Sequence, residues 1–358
     1  MDVLSDVLRV VRLSGAVFYA GEFSSPWALE SPSPSVLASV VLPDAECIVL
    51  FHVLVKGECT VECEGHSTLA MESGDVVVFP HGEQHIMRSR DAVTATPLVS
   101  MVAQMTKEDL PQLAFGGGGL ATSFICGYLS CDQRFSRLVE ALPTILLVRS
   151  RDDYSAIEAF DASGRRSTVV PQGSGTWLAT TLRFTINEAK TARPGNAAML
   201  GRLTELMFVE IIREYMHRLP ANQGGWLAAL NDAAVGNALR LMHANPVRDW
   251  TVDLLSREVA VSRSVLAQRF TELVGETPMR YLANWRMQLA KQMMREGSRN
   301  IQEIATRVGY GSEAAFTRAF KRATGSPPAA WRKTALGTSI QVSTTADNPS
   351  SGRSFTVR

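Results

Sequence analysis

The chain has 358 residues, 46% of them apolar and 20% charged, with a formal net charge of +1. That length supports two or three domains with cores of their own, and so small a net charge argues by itself for no particular partner. Five cysteines do not make a secreted disulfide framework, and no apolar run approaches the roughly 18 residues of a membrane span, so a cytoplasmic protein with reduced thiols is expected.

The opening residues MDVLSDVLRVV set Leu4, Val7, Leu8 and Val11 at helical spacing and lack the basic start and cleavage site of a signal peptide. An amphipathic helix running into a strand at 16–19 is expected there. After a Ser/Pro loop at 31–35 the period changes. Apolar runs at 47–55, 60–63, 67–71, 75–79 and 92–104 are separated by Lys56-Gly57, Glu64-Gly65, Ser73-Gly74 and residues 80–82. Short strands punctuated by Gly turns predict a small barrel or double-sheet jelly roll. The four glycines at 116–119 read as a flexible break. The segment FICGYLSCD at 124–132 follows, then a helical pattern near 135–142 and an apolar run at 144–148. Residues 161–175 read as a loop.

Two helices are predicted at 177–192 and 196–219, split by Arg193-Pro194-Gly195. The second carries Leu200, Leu203, Leu206, Met207, Val209, Ile211 and Ile212, too many for one narrow stripe. Such a helix packs on two sides or also meets a second subunit. Residues 220–226 form a linker, residues 227–333 are helical in pattern, and the polar tail 338–358 is expected to be disordered. The fold class is therefore α+β multidomain: a strand-rich barrel or jelly-roll domain at 1–160, a helical segment at 176–225 that packs on two sides or meets a second subunit, and an all-α domain at 230–335.

Within the last of these, residues 304–308 form a short helix, Gly309-Tyr310-Gly311 a tight turn, and Ser312 the N-cap of a second helix. Ala315, Phe316, Ala319 and Phe320 share one face of that helix, while Thr317, Arg318, Lys321 and Arg322 lie opposite. Two helices angled by a Gly turn, the second with a basic outer face, are how a helix-turn-helix presents itself to a major groove. A partner unit lies about 50 residues upstream: Thr251 caps 252–260, and Ser262 caps 263–274, with Val265, Leu266, Phe270 and Leu273 expected to face inward. A long helix at 278–296 joins the units. Charge supports the pairing. Residues 231–337 hold 16 Lys+Arg against 9 Asp+Glu, the remainder 20 against 26, so a basic module follows an acidic one.

Ile304-Ala305, Val308-Gly309-Tyr310, Ser312, Phe316, Arg318, Phe320-Lys321, Gly325, Pro328 and Trp331-Arg332, with Leu255, Ser262, Leu266, Phe270, Gly275, Pro278, Tyr281, Arg286 and Ala290 upstream, resemble the double helix-turn-helix domain of AraC/XylS-type transcription regulators. Ser256 and Ala260 depart from the pattern, Ala260 standing where the turn usually has Gly. The resemblance implies two recognition helices on successive major-groove faces of double-stranded DNA. By position, Arg263, Ser264, Ala267 and Gln268 face bases in the first unit, and Glu313, Ala314, Thr317 and Arg318 in the second. Lys321, Arg322, Arg269, Arg307 and the helix N-terminus at Ser312 are assigned to phosphates.

In the sensor half, GDVVVFPHGEQH at 74–85 resembles the second motif of the cupins, with Ser89 in place of the usual closing Asn. The first motif, with its His and Glu ligands, is missing. His81 and His85 together with Cys126 and Cys131 have the donor types of a tetrahedral zinc set, provided that a turn brings the two cysteines to the same side. A thiol switch between Cys126 and Cys131, or purely structural residues, are the competing readings. Cys47, Cys59 and Cys63 fall in strand patterns. CGYLSCD, Ser25-Pro26-Trp27 and Arg193-Pro194-Gly195 are similar to a cupin-type sensor subfamily of the same regulators. The expectation is a homodimeric, sequence-specific regulator that answers a small-molecule, metal or redox signal and contacts RNA polymerase. A metal-dependent cupin enzyme with a helical appendage is the alternative.

Overall fold

The computed structural model describes the chain apart from residues 1–2, 11–13, 37–46, 92, 100–111, 132–135, 151–154, 170–174, 190–192, 218–224, 298–299 and 334–358. The disorder expected at 338–358 lies outside the described residues. Contacts divide the chain into two compact units, one spanning Val7–Asp232 and the other joining residues from Ala233 onward with the first six. Among the described residues no helix is long and apolar enough to cross a membrane.

The division falls within helix α1 (Val3–Val10), which is followed by strands β1 (Ser14–Ser24), β2 (Ala28–Glu30), β3 (Cys47–Lys56), β4 (Glu58–Cys63), β5 (Leu69–Glu72), β6 (Val76–Phe79), β7 (His85–Arg88) and β8 (Thr96–Pro97). Next come β9 (Gln112–Gly116), β10 (Ala121–Cys131), helix α2 (Ser136–Glu140), β11 (Ile145–Ser150), β12 (Ser155–Phe160) and β13 (Arg166–Val169). They build an eight-stranded sheet in the order β13-β12-β11-β6-β3-β10-β1-β9 and a five-stranded sheet in the order β5-β4-β7-β2-β8. One apolar core joins the two sheets: Leu50, Leu54, Phe79, Phe124 and Leu147 come from the first, and Leu29, Val61, Met71 and Met87 from the second. This is the double-sheet architecture that the alternating strands and Gly turns predict.

Alternation decides which side chains enter that core, because successive residues of a strand point to opposite faces. On β3 the even positions Ile48, Leu50 and Leu54 belong to it, and on β10 so do Phe124 and Cys126. The odd positions Val49, Phe51 and Val53 are buried as well, so β3 is covered on both faces and reads as an unbroken apolar run. Helices α3 (Gly175–Ala189) and α4 (Asn196–His217) pack on each other, α3 on β11 and β12 and α4 on β1 and β12. At the α4–β1 contact a Cβ on Gly15 would lie 2.7 Å from the Gly201 carbonyl oxygen, and one on Gly201 2.6 Å from that of Gly15. Only glycine at both places lets the two backbones touch.

Three local expectations are corrected. Of the strand expected at 92–104, only Thr96–Pro97 is extended among the described residues. Within the expected loop at 161–175, Arg166–Val169 is a strand paired with β12. The glycines at 116–119 are no free break: the Gly117 and Gly119 amides donate to the Ser24 and Ser25 carbonyls at 2.9 and 2.8 Å.

After α5 (Trp226–Asn231), the C-terminal unit runs through α6 (Ala233–Ala244), α7 (Val252–Glu258), α8 (Arg263–Val274), α9 (Pro278–Arg295), α10 (Ile301–Arg307) and α11 (Glu313–Thr324).

Candidate nucleic-acid interface and the barrel interior

Helices α7–α8 and α10–α11 are two copies of one device. In the first, the Thr251 hydroxyl caps α7 by accepting the Leu254 amide (3.1 Å), and the Ser262 hydroxyl caps α8 by accepting the Val265 amide (3.3 Å). In the second, the Asn300 side chain accepts the Glu303 amide (2.7 Å), and Ser312 accepts that of Ala315 (3.2 Å). Each cap satisfies a helix-end donor that would otherwise face no partner. Both second helices end at a glycine in the left-handed region, Gly275 (φ 78°) and Gly325 (φ 79°). Phe270 meets Tyr281 edge-on with ring centroids 5.7 Å apart, and Phe320 meets Trp331 likewise at 5.9 Å. The core positions thus repeat after 50 residues.

The turns close alike. The Val261 amide donates to the Ser256 carbonyl at 3.0 Å, and the Tyr310 amide to that of Ala305 at 2.9 Å. This puts Ala260 (φ 56°) where the second unit has Gly309 (φ 83°), and Ala260 is the one non-glycine with positive φ among the described residues. The departure from pattern therefore leaves the turn intact, and Ala260 absorbs it in a backbone region that a Cβ disfavours.

Helix α9 belongs to both units. Its Met287, Ala290 and Met294 join Ile304, Val308, Phe316 and Phe320 in the second core. Its Trp285 stacks on His243 of α6 (4.0 Å, 20°), and its Tyr281 bonds the same imidazole at 2.8 Å. Burial holds the His243 pKa down at about 3; the Asp6 carboxylate 3.7 Å from Nδ1 does not offset that desolvation. From α9, Arg286 donates through Nε to the Pro246 carbonyl (2.7 Å) and through Nη2 to that of Arg248 (3.0 Å), with its guanidinium 5.9 Å from the Tyr310 ring centre. One side chain thus ties the loop before α7 to the second turn.

The outward faces carry the residues expected at DNA. Arg263, Ser264, Gln268, Arg269, Arg307, Ser312, Glu313, Ala314, Arg318, Lys321 and Arg322 are exposed, and Ala267 and Thr317 half-exposed. Several already have protein partners: Arg263 with Asp253 (3.4 Å), Gln268 with Glu272 (2.8 Å) and Arg307 with Glu303 (3.2 Å). Such surface contacts are weak and exchangeable. Arg318, Lys321 and Arg322 make no side-chain hydrogen bond or ion pair among the described residues. Val265, expected inside, is 48% exposed, because the buried stripe of α8 is Leu266, Phe270 and Val274. Spacing by four from Leu266 was the available signal.

Among the described side chains the ligands expected for zinc do not converge. His85 and Cys126 do enter the barrel core, but His81 turns its Nε2 to the Leu142 carbonyl at 3.3 Å. The strand β10 runs unbroken from Ala121 to Cys131, so the turn needed between Cys126 and Cys131 is absent; the Cys131 side chain lies outside the described residues. The residue missed is His52, opposite Cys126 in the β3–β10 register and at the same parity as Leu50 and Leu54.

His52 Nε2 lies 2.7 Å from His85 Nε2, and His52 Nδ1 lies 2.9 Å from Cys126 Sγ. His85 Nδ1 lies 2.7 Å from the Glu83 carbonyl, which only accepts, and 3.2 Å from the Ser31 hydroxyl, which can do either; the shorter contact puts the hydrogen on Nδ1 and leaves Nε2 a lone pair. His52 Nε2–H donates to that lone pair, and His52 Nδ1 accepts from the Cys126 thiol, which is also bonded to Tyr19. Burial favours each neutral form: it lowers His85 to about 4, holds His52 well below the usual imidazole value, and pushes Cys126 up to about 12. His85 and Cys126 sit at opposite nitrogens of one ring, so their lone pairs share no point. Among the described residues no three His, Cys, Asp or Glu side chains are placed to hold a metal ion. A thiol so far from ionised is also a poor redox nucleophile.

Comparison with known proteins agrees with both halves. A cupin family profile matches residues 2–163 and 166–217, and a helix-turn-helix domain profile matches residues 255–334. A Streptomyces antibioticus protein described as an AraC-like transcription regulator is 41% identical over 93% of this chain and 99% of its own length. A Streptomyces lividans protein of the same description is 32% identical over 93% and 98%. The transcriptional regulator AlkR of Acinetobacter baylyi is 28% identical over 90% and 96%.

Proposed function

The chain belongs to the AraC-like transcription regulators with a cupin domain ahead of the helix-turn-helix domain, and from that premise we propose how its parts divide the work. It is a DNA-binding transcription regulator. Helices α8 and α11 are the readers, entering successive major grooves on one side of the duplex. Arg263, Ser264, Ala267 and Gln268, then Glu313, Ala314, Thr317 and Arg318, meet base edges. Val265 joins the first set, since an exposed apolar group in the first turn suits a thymine methyl. Lys321, Arg322, Arg269, Arg307 and the α11 N-terminus hold phosphates. The observation that carries the reading is the pair of capped helices, the second presenting Arg318, Lys321 and Arg322, which form no side-chain hydrogen bond or ion pair among the described residues.

We read the barrel as a sensor rather than a catalyst, as the regulator names of the relatives suggest. Dimerisation fits α3 and α4: Trp177 and Phe184, then Met199 and Leu206, are seven apart on adjacent helices and 45–57% exposed, the spacing of a helical seam. A small-molecule effector acting on the barrel, a contact with RNA polymerase and a cytoplasmic location complete the proposal on the strength of the domain pairing.

Selection of bound duplexes from a random pool with the full chain tests the reading. A bipartite site with halves roughly 10 bp apart is the expected product. Failure to enrich any sequence would sink it.

A further inference from the structure

Between α9 and α11 runs a groove of about 690 Å³. Helical spacing builds it: α9 contributes Arg280, Ala283, Asn284 and Met287, and α11 contributes positions 315, 318, 319, 322 and 323. Four of its lining residues are alanines, which let a visiting chain approach both helix backbones. Its walls carry the guanidiniums of Arg280, Arg318 and Arg322 and the phenol of Tyr310, and no carboxylate is among the lining residues. Glu276 stands just beyond, 3.6 Å from Arg280 Nε and 2.9 Å from the Asn284 amide nitrogen.

Three guanidiniums around a groove with no carboxylate in its lining, only Arg280 of them in an ion pair (with Glu276) among the described residues, call for a polyanion. An acidic protein segment is the poorer fit: protein interfaces draw their energy from large anchors in apolar pockets, and here the one large aliphatic side chain, Met287, is already buried in the core. Arg318 decides the matter, because it lines the groove and also stands on the outward face of α11. The groove therefore opens beside the reading surface, where the strand bordering the major groove must pass.

We propose that this groove seats the phosphodiester backbone flanking the half-site read by α11, with Arg280 and Arg322 on successive phosphates and the Tyr310 hydroxyl as a further donor. The proposal rests on the DNA-binding reading above and adds Arg280 and Tyr310 to its contacts. It also gives the second unit a separate source of affinity, independent of base sequence.

Fluorescence anisotropy of the full chain on its selected duplex and on a scrambled one, between 50 and 200 mM salt, tests this. Each phosphate contact contributes a slope of about 0.9 in log K against log salt, or a factor of about 3.5 in affinity across that range. Arg280→Ala should flatten the slope by about 0.9, and Arg280→Ala with Arg322→Ala by about 1.8, with the ratio of selected to scrambled binding held. Arg280→Lys should restore most of the slope, which separates charge from folding. An unchanged slope in Arg280→Ala overturns the proposal. So does an unchanged slope with lost transcription by purified polymerase, which would assign the groove to an acidic protein surface. Absence of any preference in the unaltered chain would instead sink the reading on which the proposal rests.

Discussion

Ala260 and Gly309 occupy the same place in the two turns, and exchanging their chemistry should shift the two units in opposite directions. Ala260 holds φ at 56°, where a Cβ crowds the following carbonyl at roughly 1–2 kcal/mol. Ala260→Gly removes that strain, while the freer unfolded chain takes back about 0.4–1 kcal/mol. The net expectation is a stabilisation of about 0.5–1 kcal/mol in the first unit. Gly309→Ala reverses both terms and adds a steric one. Its Cβ would lie 3.0 Å from the Arg286 guanidinium carbon and 3.0 Å from Val247 Cα. Arg286 cannot swing aside without losing its bonds to the Pro246 and Arg248 carbonyls. A loss of about 1–2 kcal/mol or more in the second unit follows. Native-state hydrogen exchange on the full chain reports the opening energy of α7–α8 and α10–α11 separately. Destabilisation by Ala260→Gly, or no loss on Gly309→Ala, would refute the equivalence of the turns and the strain argument with it.

Arg318→Ala should cost about 1–3 kcal/mol in binding the selected site and relax discrimination at one base pair, as read by competition with singly substituted duplexes. His243 gives a pH dependence of known sign. Its folded pKa of about 3 lies below the unfolded value of about 6.5, so its contribution is full above pH 6.5 and drains away as pH falls toward 3. Between pH 7 and 5 that amounts to about 2 kcal/mol, and the slope should flatten in His243→Phe, which keeps a ring against Trp285. In the native protein, iodoacetamide should label half-exposed Cys47 and Cys63 well before Cys126; early labelling of Cys126 would reopen the thiol-switch reading. Trp177→Glu with Phe184→Glu should turn a dimer into a monomer in sedimentation, and an unchanged mass would move the interface elsewhere.

The C-terminal unit was legible in the sequence because its determinants are local. Caps at Thr251, Ser262 and Ser312, a glycine after each second helix, and apolar spacing of three and four act within a turn or two of chain. Ala260 stands out by comparison with the AraC/XylS pattern, which has Gly at that turn. Val265 slipped through because a helical stripe one residue to the side uses the same residue types.

The barrel interior was not legible in that way. Its double-sheet architecture follows from alternation and Gly turns, but which side chains meet inside depends on register and on which sheet faces which. His52 pairs with Cys126 across 74 residues of sequence and meets His85 from the opposite sheet. No local spacing encodes either meeting. The motif at 74–85 drew attention to His81 as well, yet the structure gives His81 to a backbone carbonyl and His85 to the core. Local sequence thus determined the two helix-turn-helix units, whose faces are set helix by helix. Only the tertiary structure decided what stands inside the barrel, because that is settled by long-range pairing of strands.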